Sequence, residues 1–105
     1  MSDKIVVLST CGSAGEAAKI ARALIQQRLA ACVNIVPRVL SIYRWEGAME
    51  DSEEWLLIIK SSQALFERLD EELRKVHSNE VPEIVALPVV AGSASYLAWM
   101  SAELE

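Results

Sequence analysis

A thiol, an imidazole and carboxylates are the side chains with which this chain can hold a soft or borderline divalent ion such as copper or zinc. They are Cys11, the single histidine His77, and Glu80 and Glu83 among fifteen acidic residues. Cys11 immediately precedes a helix signal, where the positive end of the dipole is expected to favour its thiolate. His77 closes a second helical pattern, so it reads either as a ligand or as a favourable partner for that helix's dipole. Cys32 lies in an apolar run and reads as a buried small hydrophobe. Tyr43, Trp45 and Trp55 either pack across strands or line a ligand pocket. Lys60, ending an apolar strand, either anchors an anionic ligand or marks where the strand meets water. No Ser–His–Asp set, phosphate loop or paired-carboxylate site is visible, so the reading is non-enzymatic.

The elements that position these groups follow from period and punctuation. Lys4 to Thr10 reads as a short buried strand. Ser13 with Glu16 is a capping box for a helix whose Ala17, Ile20, Ala21 and Leu24 recur at helical spacing, ending near Arg28 or Leu29. A second strand spans Cys32 to Trp45, and Pro37 within it marks a bulge or an edge. Glu46 to Glu50 supplies a turn around Gly47, which makes Glu46, Glu50, Asp51, Glu53 and Glu54 an acidic hairpin tip. A third strand, Glu53 to Lys60, is apolar on both faces, as a strand buried on both sides is. A second helix runs from Gln63 to Val76 with Ser62 as its cap and Leu65, Leu69, Leu73 and Val76 as its stripe. Ile84 to Val90 is a fourth strand containing Pro88, and Ser93 caps a last short helix.

The order predicts one α+β domain over residues 1–105, a ferredoxin-like βαββαβ antiparallel sheet with helices on one face, a long second-to-third-strand hairpin and an extra C-terminal helix. In that topology strands two and four are edges, where Pro37 and Pro88 belong. Cys11, His77, Glu80 and Glu83 then gather at one end of the sheet.

Arms longer than the usual five or six residues need something besides their own domain to pair with. Oligomerisation is therefore expected, as is an apolar fraction of 52% that so small a domain cannot hide. A net charge of −5 disfavours nucleic acid and anionic membrane surfaces as partners. Two cysteines make no disulfide scaffold, and neither a signal peptide nor a membrane-spanning run is evident. A reducing cytoplasm is the expected compartment.

Several separated motifs resemble the CutA divalent-cation tolerance family: LAACVNIVP at Leu29–Pro37, SIYRWEG at Ser41–Gly47, IIKS at Ile58–Ser61, VPEIVALPV at Val81–Val89 and YLAWM at Tyr96–Met100. The resemblance implies a ferredoxin-like subunit in a tight homotrimer whose hairpin arms pair with neighbours. It also implies a link to tolerance of copper and other divalent metals, with His77, Cys11 and Glu80 as the metal residues. The trimer is similar to nitrogen-regulatory signalling trimers, which implies an inter-subunit ligand cleft formed by Tyr43, Trp45, Lys60 and Glu83. Animal relatives are connected with anchoring a cholinesterase. Relatives usually read His-Pro-Tyr-Glu where this chain has His77, Ser78, Asn79 and Glu80. The change is expected to loosen that loop and remove an aromatic wall.

Overall fold

The fold, a computed structural model describing residues 2–105, is an antiparallel sheet in the order β2-β3-β1-β4. Strand β1 is Lys4–Cys11, β2 Cys32–Trp45, β3 Ala48–Ser62 and β4 Val85–Pro88; helix α1 is Ala14–Gln26, α2 Phe66–Val76 and α3 Ala94–Glu103. The βαββαβ order, the edge positions of β2 and β4 and the terminal helix are those expected.

Alternation along β1 and β3 decides which face is closed. Ile5, Val7, Ser9 and Cys11 share a face with Leu57, Ile59 and Ser61, and all are buried. Ala17, Ile20 and Leu24 of α1 and Leu69 and Leu73 of α2 complete this core. Each fully buried Leu or Ile contributes about 1.5–3 kcal/mol relative to exposure. The opposite face carries Val6, Leu8, Val36, Leu56 and Ile58, which are half-buried or exposed, and no helix covers it. Burial of β3 on both sides is therefore only half realised within one chain.

Local chemistry sets the boundaries. The Ser13 hydroxyl accepts the Glu16 N–H at 3.1 Å, as a cap should, but Glu16 reaches back to the Gly12 N–H instead of that of Ser13. Helix α1 ends sooner than its periodicity suggests because Arg28 takes a positive φ of 60° and the Leu29 N–H turns back to the Leu24 carbonyl. An arginine fits this glycine-like position for a reason beyond the turn. Its guanidinium donates to the carbonyls of Ala102, Glu103 and Leu104, the unpaired end of α3. Ser62 caps nothing with its side chain, because it still pairs with Lys4 at the end of β3. A 3₁₀ turn, Gln63–Leu65, precedes α2.

The hairpin departs most from expectation. Strand β3 begins at Ala48, so the turn is only Glu46–Gly47, with φ of 52° and 82° as a type I′ connection requires. Glu50, Asp51, Glu53 and Glu54 consequently lie along a strand and form no acidic tip. Pro37 does mark a bulge: the register jumps from Val36 opposite Leu56 to Val39 opposite Glu54, with Arg38 at φ 61°. Beyond Cys11, where β1 stops, the hairpin continues as an uncovered two-stranded arm in a molecule 44 Å long. Leu40, Ile42 and Met49 share one side of it at 64, 66 and 77% exposure.

The turn yields a direct test. Gly47→Ala meets no neighbouring atom but must hold a positive φ, so it is expected to cost about 1 kcal/mol in denaturant unfolding. Gly12→Ala, equally uncrowded and with no positive φ, is expected to leave the midpoint unchanged.

Candidate functional site

His77 follows α2 as its C-cap, its N–H donating to the Leu73 carbonyl, and its side chain is fully buried. One ring nitrogen, Nε2, lies 2.8 Å from the Thr10 carbonyl oxygen, which can only accept, so Nε2 carries the hydrogen. The other, Nδ1, accepts the Asn79 N–H at 3.0 Å. The imidazole is thereby held in one neutral tautomer with both nitrogens engaged. It fastens the end of α2 to the end of β1.

Glu16 completes this knot, a role that its capping position alone did not reveal. One carboxylate oxygen takes the Gly12 N–H, while the other takes the Ser78 N–H at 2.8 Å and lies 3.7 Å from His77 Nδ1. Burial pulls this carboxyl upward, but the N–H groups of Ser78 and Gly12 and the adjacent His77 hold it below the ordinary carboxylate value. Without the family's proline and tyrosine, the 78–80 loop is tethered by backbone hydrogen bonds to Glu16 and His77.

Cys11 sits beneath the same knot, fully buried, with Sγ directed at the Ser13 carbonyl at 3.6 Å. Burial raises its pKa, the contact with Ser13 lowers it, and the charges of Glu16 and Glu54 raise it further. The expected thiolate is therefore corrected to a protonated thiol: desolvation and nearby carboxylates outweigh the helix dipole. Cys32 is also not where expected. It is half-buried at the start of edge strand β2, on the uncovered face beside Lys60, whose Nζ is 3.9 Å from its sulfur.

Glu80 lies in the exposed loop and, with Tyr43, Trp45 and Asn79, lines a cleft of about 330 Å³ between that loop and the arm. The cleft continues past Tyr43 and Asn79 into a space of about 570 Å³ lined by Thr10, Glu54 and Glu83. Tyr43, Trp45, Glu80 and Glu83 are thus brought together. Lys60 is not: it pairs with Val6 and Cys32 near the far end of the sheet and bonds the Asn34 side chain. Trp55, opposite Cys11, packs against the core.

Among the described residues, no three His, Cys, Asp or Glu side chains converge closely enough to hold a metal ion. As arranged, Cys11 and His77 do not fit one: the thiol is protonated and both imidazole nitrogens are occupied.

The Glu16 tether gives a pH signature. A depressed carboxyl contributes stability that is fully present above the ordinary value near 4.5 and is lost as pH falls through its lower folded value. Glu16→Gln is expected to cost on the order of 2 kcal/mol at neutral pH, the scale of hydrogen bonds to a charged group. The gap between wild type and variant should close below pH 4.5; denaturant titrations across pH check this, and a constant gap would contradict the tether.

Residues 5–103 match the family model described as CutA1 divalent ion tolerance protein. The divalent-cation tolerance protein CutA of Thermus thermophilus is 48% identical over 95 residues, covering 90% of this chain and 92% of that protein. A solved structure from that organism superposes with a TM-score of 0.95 at 45% identity, covering 97% and 99% of the two chains. The chloroplastic protein CutA of Arabidopsis thaliana is 46% identical over 96 residues, and there this chain spans only about half of the longer plant protein, 53%. Similarity of this extent, in sequence and in every element of the fold, shows that the chain belongs to the CutA1 divalent ion tolerance protein family.

Proposed function

We propose that this protein acts in divalent-cation tolerance as a non-enzymatic homotrimer, with copper as the first candidate metal. The observation that carries the reading is the near-full-length match to relatives named for divalent-cation tolerance. Assembly is supported by the apolar surface left over in one chain: the Leu40–Ile42–Met49 side of the arm and the uncovered sheet face with Val85 and Leu87. A lone monomer rarely presents so much contiguous apolar surface. The two free cysteines fit a reducing compartment, here the cytoplasm. Among the described residues, no helix is long and apolar enough to cross a membrane.

In this reading His77, Cys11 and Glu80 take copper after the 77–80 loop has opened. Opening frees His77 from Thr10 and Asn79, and binding removes the thiol proton. Metal uptake is then linked to proton release. A second reading is favoured by one observation, the cleft bounded by Tyr43, Trp45 and Glu83: a signalling or scaffold trimer that holds a small molecule or partner there.

Two measurements test the proposal. Sedimentation is expected to give a trimer, and Ile42→Glu is expected to release smaller species; a stable wild-type monomer at micromolar concentration would overturn the assembly. A copper titration against a competing chelator, with redox state controlled, is expected to show saturable binding that is lost in Cys11→Ser/His77→Ala. Binding unchanged by those substitutions would remove the ligand assignment.

A further inference from the structure

Resting on the second, cleft-binding reading, we propose that the space between the hairpin arm and the 78–83 loop is a binding site for small organic ammonium compounds. Tyr43 and Trp45 stand two residues apart on the same side of the arm, 42 and 47% exposed, and form one wall of the cleft. The Tyr43 hydroxyl lies 3.4 Å from the Ser52 hydroxyl, which steadies the ring across the hairpin. Glu80 stands on the opposite, loop side, and Glu54 and Glu83 line the adjoining space.

The charges around the cleft are of one sign. No Lys, Arg or His lines either part of it, and no ion pair among the described residues engages Glu54, Glu80 or Glu83. The arm's own cations are spent elsewhere. Arg44 points its guanidinium at the Gly47 carbonyl, and Arg38 pairs with Glu53, a residue on the other side of the arm. Lys60 is near the far end of the sheet. An anionic ligand would therefore meet three carboxylates and no counter-charge.

Geometry then separates an organic cation from a bare metal ion. The carboxylates are spread along the cavity and do not converge on a point, whereas a metal requires several donors about 2.0–2.6 Å from one centre. An ammonium group carrying alkyl substituents spreads its charge over CH groups and is weakly hydrated. Aromatic faces attract such a cation through the ring quadrupole, and carboxylates at longer range add to that attraction. The volumes of about 330 and 570 Å³ are of the size that small-molecule sites have.

The test is calorimetric titration of the assembled protein, at fixed ionic strength, with tetramethylammonium chloride and with tert-butanol as a neutral molecule of similar size. Saturable binding of tetramethylammonium is expected, with tert-butanol at least tenfold weaker. Trp45→Leu and Tyr43→Leu should each weaken tetramethylammonium binding at least tenfold, and Glu83→Gln several-fold. Lys60→Gln should leave it unchanged. Circular dichroism and sedimentation confirm that each variant remains folded and assembled; Glu83→Gln, at an exposed position, keeps the test valid where an aromatic variant does not. Absence of saturable binding, equal binding of the neutral molecule, or binding indifferent to both Glu83→Gln and a folded Trp45→Leu overturns the proposal. Binding of a neutral aromatic compound such as phenol, lost in Trp45→Leu while tetramethylammonium fails, would retain a ligand cleft and remove only its cation chemistry.

Discussion

Strand β3 outruns β1, and much of the molecule's behaviour follows from that mismatch. Fifteen residues of β3 face only eight of β1, so the distal half of the hairpin has β2 as its sole partner. A two-stranded ribbon is marginal in water because it buries too little apolar surface to offset the entropy of ordering it. The arm nevertheless carries exposed Leu40, Ile42 and Met49, residues that would have no reason to stand in water unless another surface covers them. The uncovered sheet face makes the same demand. Chain folding and assembly are thus two stages of burying one sheet.

The near end of the arm is held by a different kind of interaction. Thr10, the last residue but one of β1, accepts from His77; Glu16, in the first turn of α1, accepts from Gly12 and Ser78. Two side chains therefore lock the ends of β1 and α2, the start of α1 and the 78–80 loop into one unit, with Cys11 sealed beneath. The cleft depends on it, because Asn79 and Glu80 line the cavity only while the loop stays fastened. A buried neutral imidazole with both nitrogens engaged is a strong positional device, since losing either bond leaves a buried polar group without a partner.

Most of the fold was legible in the sequence because its signals are local. Period-two alternation placed Val7 and Ile59, helical spacing placed Ile20 and Leu73, and prolines marked the two edges. What escaped was what depends on distant groups. The helix-dipole argument for Cys11 was sound but had no way to know that Glu16 and Glu54 approach and that the thiol is wholly buried. Lys60 matched a family motif and was grouped with Tyr43 and Trp45, yet register places it near the opposite end of the sheet. Acidic composition around Gly47 looked like a turn, because a two-residue connection was masked by carboxylates that sit on a strand. Glu16 was visible as a cap and invisible as a tether, since its partner Ser78 is 62 residues away.

The bulge at Pro37 and Arg38 explains how one hairpin serves two purposes. Before it, Cys32, Asn34 and Val36 lie on the uncovered face, opposite Lys60, Ile58 and Leu56. Two residues then oppose one, and the parity of β2 inverts: Val39, Ser41, Tyr43 and Trp45 now occupy that face, while Leu40 and Ile42 pass to the other. In an unbulged ladder the side-chain period of two would send Leu40 and Ile42 toward the cleft and both aromatics away from it. Proline is suited to this place because it has no N–H to lose from the ladder, and the positive φ of Arg38 completes the step. A single inserted residue thus sorts the arm into a side that presents aromatic rings and carboxylates to the cleft and a side that presents aliphatic surface for covering by another chain.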